Sequence, residues 1–168
     1  MNIFYVDRDP VKAAQSLCDK HVIKMTLESA QLLSGAAQLL GSPPDDLYKL
    51  THRNHPCAVW ARKSVTNFNW LIQHGIGLSQ EYTYRYGRIH KSSRIFYYLL
   101  DNFQFPGTIQ ADFDEPPLAM PDHYRTVDNK VLAYRNYYIG DKLEICRWTK
   151  REPPAWILPH LTRGIHYV

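Results

Sequence analysis

Apolar and small residues recur every three or four positions over most of residues 10–40, and no proline follows Pro10 in this stretch. That spacing places them on one face of a helix. The face consists of Cys18, Val22, Met25, Ser29, Leu32, Ala36 and Leu40. Asp9 is a typical N-cap residue before a first-turn proline, and Asp19 is a candidate cap for a second helix. The pattern therefore predicts a short helix followed by a long one.

A second helical stretch begins at Pro56, another first-turn proline. Its apolar face consists of Cys57, Trp60, Ser64, Phe68, Leu71, Gly75 and Leu78. The same spacing continues through Tyr82, Tyr86, Ile89, Ser93, Phe96 and Leu100. We therefore predict helix over 56–79 and onward to about residue 100. Gly75 and Gly77 each weaken a helix by about 1 kcal/mol relative to Ala, so they mark either close packing or a break.

The tyrosine-rich segment EYTYRYGRIHKSSR allows two interpretations. On a strand, Tyr82, Tyr84 and Tyr86 would share one face and form a surface on which nucleic-acid bases stack. On a helix, Tyr82 and Tyr86 face the core and Tyr84 faces solvent. The helical spacing on both sides favours the helix, which places Arg85 and His90 at the border of buried rings.

Proline is concentrated in the C-terminal part, where seven of the 11 prolines lie beyond residue 105. The sequence thus predicts a mainly α fold: a single-domain helical bundle over residues 1–168, with a short N-terminal strand at 3–6 and a Pro-rich irregular C-terminal region. The helical body covers about 10–100. A loop at 101–127 and C-terminal helices with a tail at 128–168 follow it.

Positive charge is concentrated as well. The formal net charge is +4, and residues 49–94 contain eight Lys and Arg side chains but one acid, Glu81. Such a basic patch attracts phosphate groups, although a solvated face without a specific partner has the same composition. The three cysteines and the absence of an apolar signal region or a membrane-length apolar run predict a cytoplasmic protein with reduced thiols and no membrane contact.

Three clusters carry the candidate ligand-binding residues. CDKHVIKM places two lysines one helical turn apart beside a histidine, and THRNHPC places cations before a helix N-terminus, where free N–H groups attract anions. EYTYRY and AYRNYY place arginines beside tyrosine rings. The predicted ligand-binding residues are Lys20, His21, Lys24, His52, Arg53, Tyr82, Arg85, Tyr86, Arg135 and Tyr138. For several of them an exposed or structurally paired cation is the alternative, including an ordinary Lys24–Glu28 contact.

Histidines supply the catalytic candidates, because imidazole is a common acid or base near neutral pH. They are His21, His52, His55 and His90. His21 with Cys18, and His52 with His55 and Cys57, also have spacings that zinc ligands use, but neither pair has the surroundings of a zinc finger. We therefore expect no metal and no cofactor. A simple helix-capping role for His55 is the other alternative.

Five segments resemble an uncharacterised family of small, mainly helical proteins encoded by tailed bacteriophages, the T4-like and marine phages. They are residues 2–33, THRNHPCAVWAR, EYTYRYGRIHKSSR, AMPDHYR and AYRNYYIGDK. The resemblance implies phage origin and expression in the cytoplasm of the infected bacterial host. It carries over no catalytic residue.

The leading hypothesis is a homo-oligomeric protein that binds a phosphate-bearing nucleotide and acts against bacterial defence by sequestering a nucleotide signal of immunity. One alternative is a phage enzyme of nucleotide or DNA metabolism, which hydrolyses a phosphodiester or modifies a base or nucleotide with histidine as acid or base. Another is an accessory protein that binds DNA or RNA, and a host-protein inhibitor remains a further one. The residues favour binding over turnover only slightly.

Overall fold

The computed structural model describes residues 1–107 and 112–161 as one mainly helical domain. The predicted fold class is confirmed. The helices are α1 (Pro10–Ser16), α2 (Asp19–Leu39), α3 (Pro56–Ala61), α4 (Val65–Tyr86), α5 (Ser93–Asn102), α6 (Lys130–Tyr137) and α7 (Leu158–Leu161). None of them is long and apolar enough to cross a bilayer.

The first two helices follow the sequence pattern. The Asp9 carboxylate accepts hydrogen bonds from the backbone N–H groups of Val11 and Lys12, at 2.9 and 2.8 Å, and so caps α1. Leu17 ends α1 in an extended conformation, and α2 begins two residues later at Asp19. The predicted pair of a short and a long helix is therefore confirmed. The predicted capping role of Asp19 is wrong, because Asp19 is the first residue of α2 and its carboxylate accepts from Arg85 and Thr149 instead.

The long second helical stretch is divided in three. α3 ends at Ala61, and α4 begins at Val65 after Ser64, whose side chain accepts a hydrogen bond from the N–H group of Asn67. Gly87, with φ of 64°, ends α4 in the left-handed region that favours glycine. The prediction of one helix to about residue 100 is wrong at this point, because the chain turns before α5. The tyrosine-rich segment is nevertheless helical as far as residue 86.

Gly75 marks close packing rather than a break in α4. A Cβ atom at this position would overlap the Phe96 ring of α5. Gly77 faces α1 in a similar way, since a Cβ there would lie 3.1 Å from that of Ala14. α4 is thus held against α1 and α5, and its C-terminal end meets the start of α2 at the contact between Arg85 and Asp19.

The segment Ile3–Val6 is a buried strap instead of the predicted strand. Within residues 1–107 and 112–161 no strand is formed, so these residues find no partner for a β-ladder. The N–H groups of Ile3 and Phe4 donate instead to the side-chain oxygen of Asn2, at 2.7 and 3.1 Å. Phe4 has φ of 56°, which turns the strap sharply.

The C-terminal part is irregular, as predicted, but contains short helical turns. Single 3₁₀ turns cover Asp122–Tyr124 and Leu143–Ile145, and a π-helical turn covers Tyr138–Lys142 directly after α6. Asn129 caps α6 by accepting from the N–H group of Leu132 at 3.0 Å. Most of the predicted loop and tail is described, whereas residues 162–168 lie outside the described part of the chain.

Candidate functional site

A cavity of about 270 Å³ lies where the N-terminal strap crosses α2. Its wall is mostly polar, and it combines one carboxylate, one imidazole and two lysines. The lining residues are Met1, Asn2, Phe4, His21, Lys24, Met25, Glu28, Ala119, Tyr137 and Lys142. The helical repeat brings His21, Lys24, Met25 and Glu28 to one side of α2, because positions three, four and seven apart share a face.

The carboxylate of Glu28 is the electrostatic centre of this cavity. Its side chain is only 12% exposed. The backbone N–H group of Asn2 donates to Glu28 Oε2 at 3.0 Å, and the amino group of Met1 lies 3.9 Å from the same oxygen. Lys24 Nζ lies 3.7 Å from Glu28 Oε1. A nearly buried carboxylate therefore faces two amines at the edge of an open space.

Asn2 fixes the backbone that carries this arrangement. Its side-chain N–H group donates to the Ala119 carbonyl at 2.8 Å, which ties the strap to the irregular segment before α6. Its side-chain oxygen accepts from the N–H groups of Ile3 and Phe4. All three bonds hold the backbone nitrogen of Asn2 toward Glu28.

His21 is held rigidly in the wall of the same cavity. Its ring stacks on Phe4, with centroids 4.4 Å apart, and its Nδ1 lies 2.7 Å from the Tyr138 hydroxyl. The same hydroxyl accepts from the backbone N–H group of Cys18 at 2.9 Å. Burial raises the pKa of Tyr138 well above its usual value, so this hydroxyl stays protonated and orients the imidazole.

The loop of residues 51–56 lies close to the cavity. The His55 ring accepts from the N–H group of Cys57 at 3.1 Å and so caps α3, which is the alternative role predicted for this residue. Burial, and then the positive charges of the Met1 amino group and of His52, lower the pKa of His55. His52 and Arg53 are exposed on this loop, and His52 has φ of 50°. The loop thus adds positive potential near Glu28.

Two predicted arginines lie elsewhere and have other partners. The fully buried Arg85 donates to Glu81 Oε1 and Asp19 Oδ1, both at 2.9 Å, and to the Gln15 carbonyl. Arg135 donates to the Val6 carbonyl at 2.9 Å. Neither guanidinium lines the cavity, and their predicted role in ligand binding stays a prediction.

The other predicted residues surround the start of α2. Lys20 is exposed there. Tyr82 and Tyr86 are half-buried and in contact, with ring centroids 5.0 Å apart, and the His90 ring meets Tyr82 edge-on at 4.9 Å. His90 does not line the cavity that contains Glu28. Its pKa is lowered by burial.

Sequence reasoning missed Asn2 and the central role of Glu28. Glu28 follows His21 by seven residues, which is two helical turns, and that spacing was the available signal. Nothing in the local pattern indicates that the strap would cross α2 at this place. The sequence predicts the Lys24–Glu28 contact as an ordinary i,i+4 pair. In the structure the contact is present, but the Glu28 carboxylate is nearly buried.

No three His, Cys, Asp or Glu side chains are grouped to hold a metal ion in residues 1–107 and 112–161. Cys57, which the spacing made a zinc candidate, is buried in the core. Burial raises its pKa to about 12, which disfavours the thiolate that zinc binds. The cavity itself is lined by amines, a carboxylate and an imidazole.

Comparison with known proteins identifies the family. A family model described as pyrimidine dimer DNA glycosylase matches residues 1–94, more than half of the 168 residues. The matched region contains the strap, α2 and the loop before α3, and hence Glu28 and most of its neighbours. No curated protein and no solved structure matches the chain.

This match corrects the expectation of a family without a described activity, and it favours the DNA-metabolism alternative over nucleotide sequestration. Phage origin, host cytoplasm and oligomerisation stay predictions. The match over residues 1–94 shows that the chain belongs to the pyrimidine dimer DNA glycosylase family.

Proposed function

We propose that the protein is a DNA glycosylase that cleaves the glycosidic bond of a pyrimidine dimer, with Glu28 at the reacting centre. The observation that carries the proposal is the nearly buried Glu28 carboxylate beside the amines of Lys24 and Met1, within the segment that the family model matches. DNA is accordingly the proposed substrate.

The chemistry of glycosidic cleavage fits this arrangement. Positive charge develops on the sugar as the bond between C1′ and the pyrimidine nitrogen breaks. A carboxylate fixed in a partly dry site stabilises that charge, because little water competes with it. Glu28 is fixed by the N–H group of Asn2 and by Lys24.

An amine beside Glu28 is the proposed nucleophile. Its nitrogen forms a bond to C1′ while the pyrimidine leaves with the bonding electrons and takes a proton. Opening of the sugar ring then gives an iminium adduct between protein and DNA, which water hydrolyses. Glu28 accepts the proton that the attacking amine must lose. His21, oriented by Tyr138, is the proposed proton donor to the leaving base.

Nucleotide binding, the leading hypothesis from the sequence, has weaker support in this cavity. Lys24 and Lys142 would attract a phosphate, but the Glu28 carboxylate would repel one. The site therefore suits an electron-poor sugar carbon better than a phosphate. Calorimetry with mono-, cyclic and dinucleotides gives a direct comparison with dimer-containing DNA.

Borohydride trapping tests the proposal. The protein is incubated with an oligonucleotide duplex that contains one cyclobutane thymine dimer, with and without sodium borohydride. We expect glycosidic cleavage at the dimer without reductant and a covalent protein–DNA adduct with it, because borohydride reduces an iminium. Peptide mapping of the adduct distinguishes Lys24 from the amino group of residue 1.

Two results would contradict parts of this scheme. Cleavage without any trapped adduct would mean that water, and not an amine, is the nucleophile. An intact dimer strand after prolonged incubation would reject the glycosylase function itself. The undamaged duplex of the same sequence is the control substrate.

A further inference from the structure

The turn between α4 and α5, residues 87–91, displays an apolar side chain to solvent between two cations. Ile89 is 82% exposed, more than any other large apolar side chain in the described part of the chain. Its neighbours Arg88 and Lys91 are exposed, and no ion pair found in residues 1–107 and 112–161 includes either of them. The helical spacing predicts that Ile89 faces the core. Ile89 is exposed because α4 ends before Gly87, so the helical spacing no longer applies to it.

This turn is pinned at both ends. Gly87 closes α4 with its N–H group bonded to the Thr83 carbonyl at 2.8 Å. His90 accepts from the N–H group of Ser92 at 3.1 Å, and it also hydrogen-bonds to the Ile23 backbone in α2. Exposure of Ile89 is therefore a property of a fixed turn, and its side chain is presented at little cost in conformational entropy.

The turn lies beside the same part of α2 that lines the cavity. His90 contacts α2 at Ile23, and the next residue, Lys24, lines the cavity next to Glu28. An α-helix with its side chains is about 10–12 Å wide, so the turn and the cavity lie within about three or four base pairs of each other along a duplex. Lys20 and Lys24 are exposed on this part of α2.

We infer that residues 87–91 form a DNA wedge, in which Ile89 inserts between stacked bases of the duplex while Arg88 and Lys91 hold the adjacent phosphates. This inference rests on the proposed function and names the element that deforms the substrate. Apolar side chains flanked by cations open base steps and kink DNA in this way. Opening the stack near the dimer allows the sugar to reach Glu28, which a continuous duplex would keep out of the cavity.

Self-association is the competing use of Ile89. The groove between α4 and α5, about 430 Å³, is lined by Ile89 with Tyr84 and Tyr97, and a second copy of the chain would cover such a groove. Charge favours DNA, because Arg88 and Lys91 at the tip would meet the same cations of a second copy in a symmetric contact. The experiment below separates the two.

The test compares Ile89→Ala with Leu100→Ala as the matched control. Leu100 is 52% exposed and lies near Val65 at the opposite end of α4. Each protein is assayed on a dimer-containing duplex and on the same strand without its complement. Duplexes with 2-aminopurine beside the dimer report unstacking upon binding, and size-exclusion chromatography reports the oligomeric state.

A wedge predicts that Ile89→Ala lowers kcat/KM on the duplex by about tenfold or more and abolishes most of the 2-aminopurine signal. Activity on the single strand changes less than about twofold, since no stack must be opened, and Leu100→Ala behaves as wild type. Replacing Arg88 and Lys91 together by Gln reduces the slope of log K against log salt by about 2, one counterion for each lost phosphate contact.

Any of three results for Ile89→Ala would overturn the wedge. They are an equal loss of kcat/KM on duplex and single strand, an unchanged 2-aminopurine signal, and a changed oligomeric state. The failure of the proposed function is distinguishable from these results. In that case the wild-type protein cleaves neither substrate, while the binding, unstacking and salt measurements on the uncleaved duplex still decide whether residues 87–91 insert into DNA.

Discussion

Two clusters of opposite charges lie on α2, one near its start and one a few turns along, and they differ in what their charges contact. In the first, Asp19 pairs with the buried Arg85, which also pairs with Glu81, and Arg151 donates to Glu81 from the other side. In the second, Glu28 faces Lys24 and the amino group of Met1 across an open cavity.

The difference separates a structural cluster from the one that we propose to be reactive. The first cluster fills its space with protein donors: the guanidinium of Arg85 reaches two carboxylates and a carbonyl. In the second, the closest ionic contacts are longer, at 3.7 and 3.9 Å, and a substrate has room to enter. Arginine beside tyrosine indicated a pocket in the sequence, but it is the loosely paired carboxylate that provides one.

Replacing Glu28 by Gln should have the largest effect and should act on activity alone. Glutamine keeps an oxygen that accepts from the N–H group of Asn2, but it neither stabilises a cationic sugar nor accepts a proton. We expect kcat/KM on the dimer duplex to fall by about a thousandfold. Thermal unfolding should change by only a few degrees. A variant with near wild-type cleavage would remove Glu28 from the reacting centre.

Replacing Arg85 by Met should break the other cluster and act on stability. Loss of the guanidinium leaves the carboxylates of Asp19 and Glu81 partly uncompensated in a buried place. We expect the free energy of unfolding to fall by about 3–5 kcal/mol, as measured by denaturant titration, while the folded fraction retains its activity per molecule. Combining it with Glu81→Gln should restore part of the loss, and full additivity of the two changes would contradict the pairing.

A pH titration should show that a buried group outside both clusters also acts on stability alone. This group is His74, which lies in the core between α4 and α1. Its ring nitrogen Nδ1 lies 2.9 Å from the Pro10 carbonyl, and burial lowers its pKa from 6.5 to about 4. The unfolded chain therefore binds a proton between these two values while the folded protein does not. Stability present above pH 6.5 is lost as the pH falls toward 4, by about 3 kcal/mol in total.

His74→Gln is the control, because it removes the titrating group while its amide donates to the Pro10 carbonyl. Denaturant titrations at several pH values should show a smaller slope between pH 6.5 and 4 for this variant. An unchanged slope would assign the acid sensitivity to other groups. Because His74 does not line the cavity, the pH profile of cleavage should keep its shape in the variant.

Helical periodicity predicted the body of the fold because it depends on local chain geometry. The long helix α2 follows from its spacing alone, and its short neighbour α1 follows from its spacing and its Asp9 cap. The same periodicity failed at Gly87 because apolar residues happened to continue the phase through a turn. Only the left-handed conformation of this glycine, and the contacts of the His90 ring, distinguish the turn from a helix.

The candidate site was predicted only in part, for a different reason. His21, Lys24 and Tyr138 were identified from their chemistry, and the structure brings them to one cavity or its wall. Asn2 and Glu28 complete it through contacts across 26 residues of chain, and no local pattern reports a contact of that length. A β-prone strap was visible in the sequence, but its place against α2 depends on the whole bundle.

The close contact between Gly75 and Phe96 sets the distance between the cavity and the turn at residues 87–91, although it touches neither of them. The Phe96 ring of α5 packs directly on the backbone of α4 at this point, so the two helices lie close together and the tip of the turn that joins them stays near α2. Adding a single methyl group at residue 75 would push the two helices apart and move the tip of the turn relative to the cavity. In the proposed complex, the span of DNA that the protein engages is thus determined in its core, by an atom that glycine lacks.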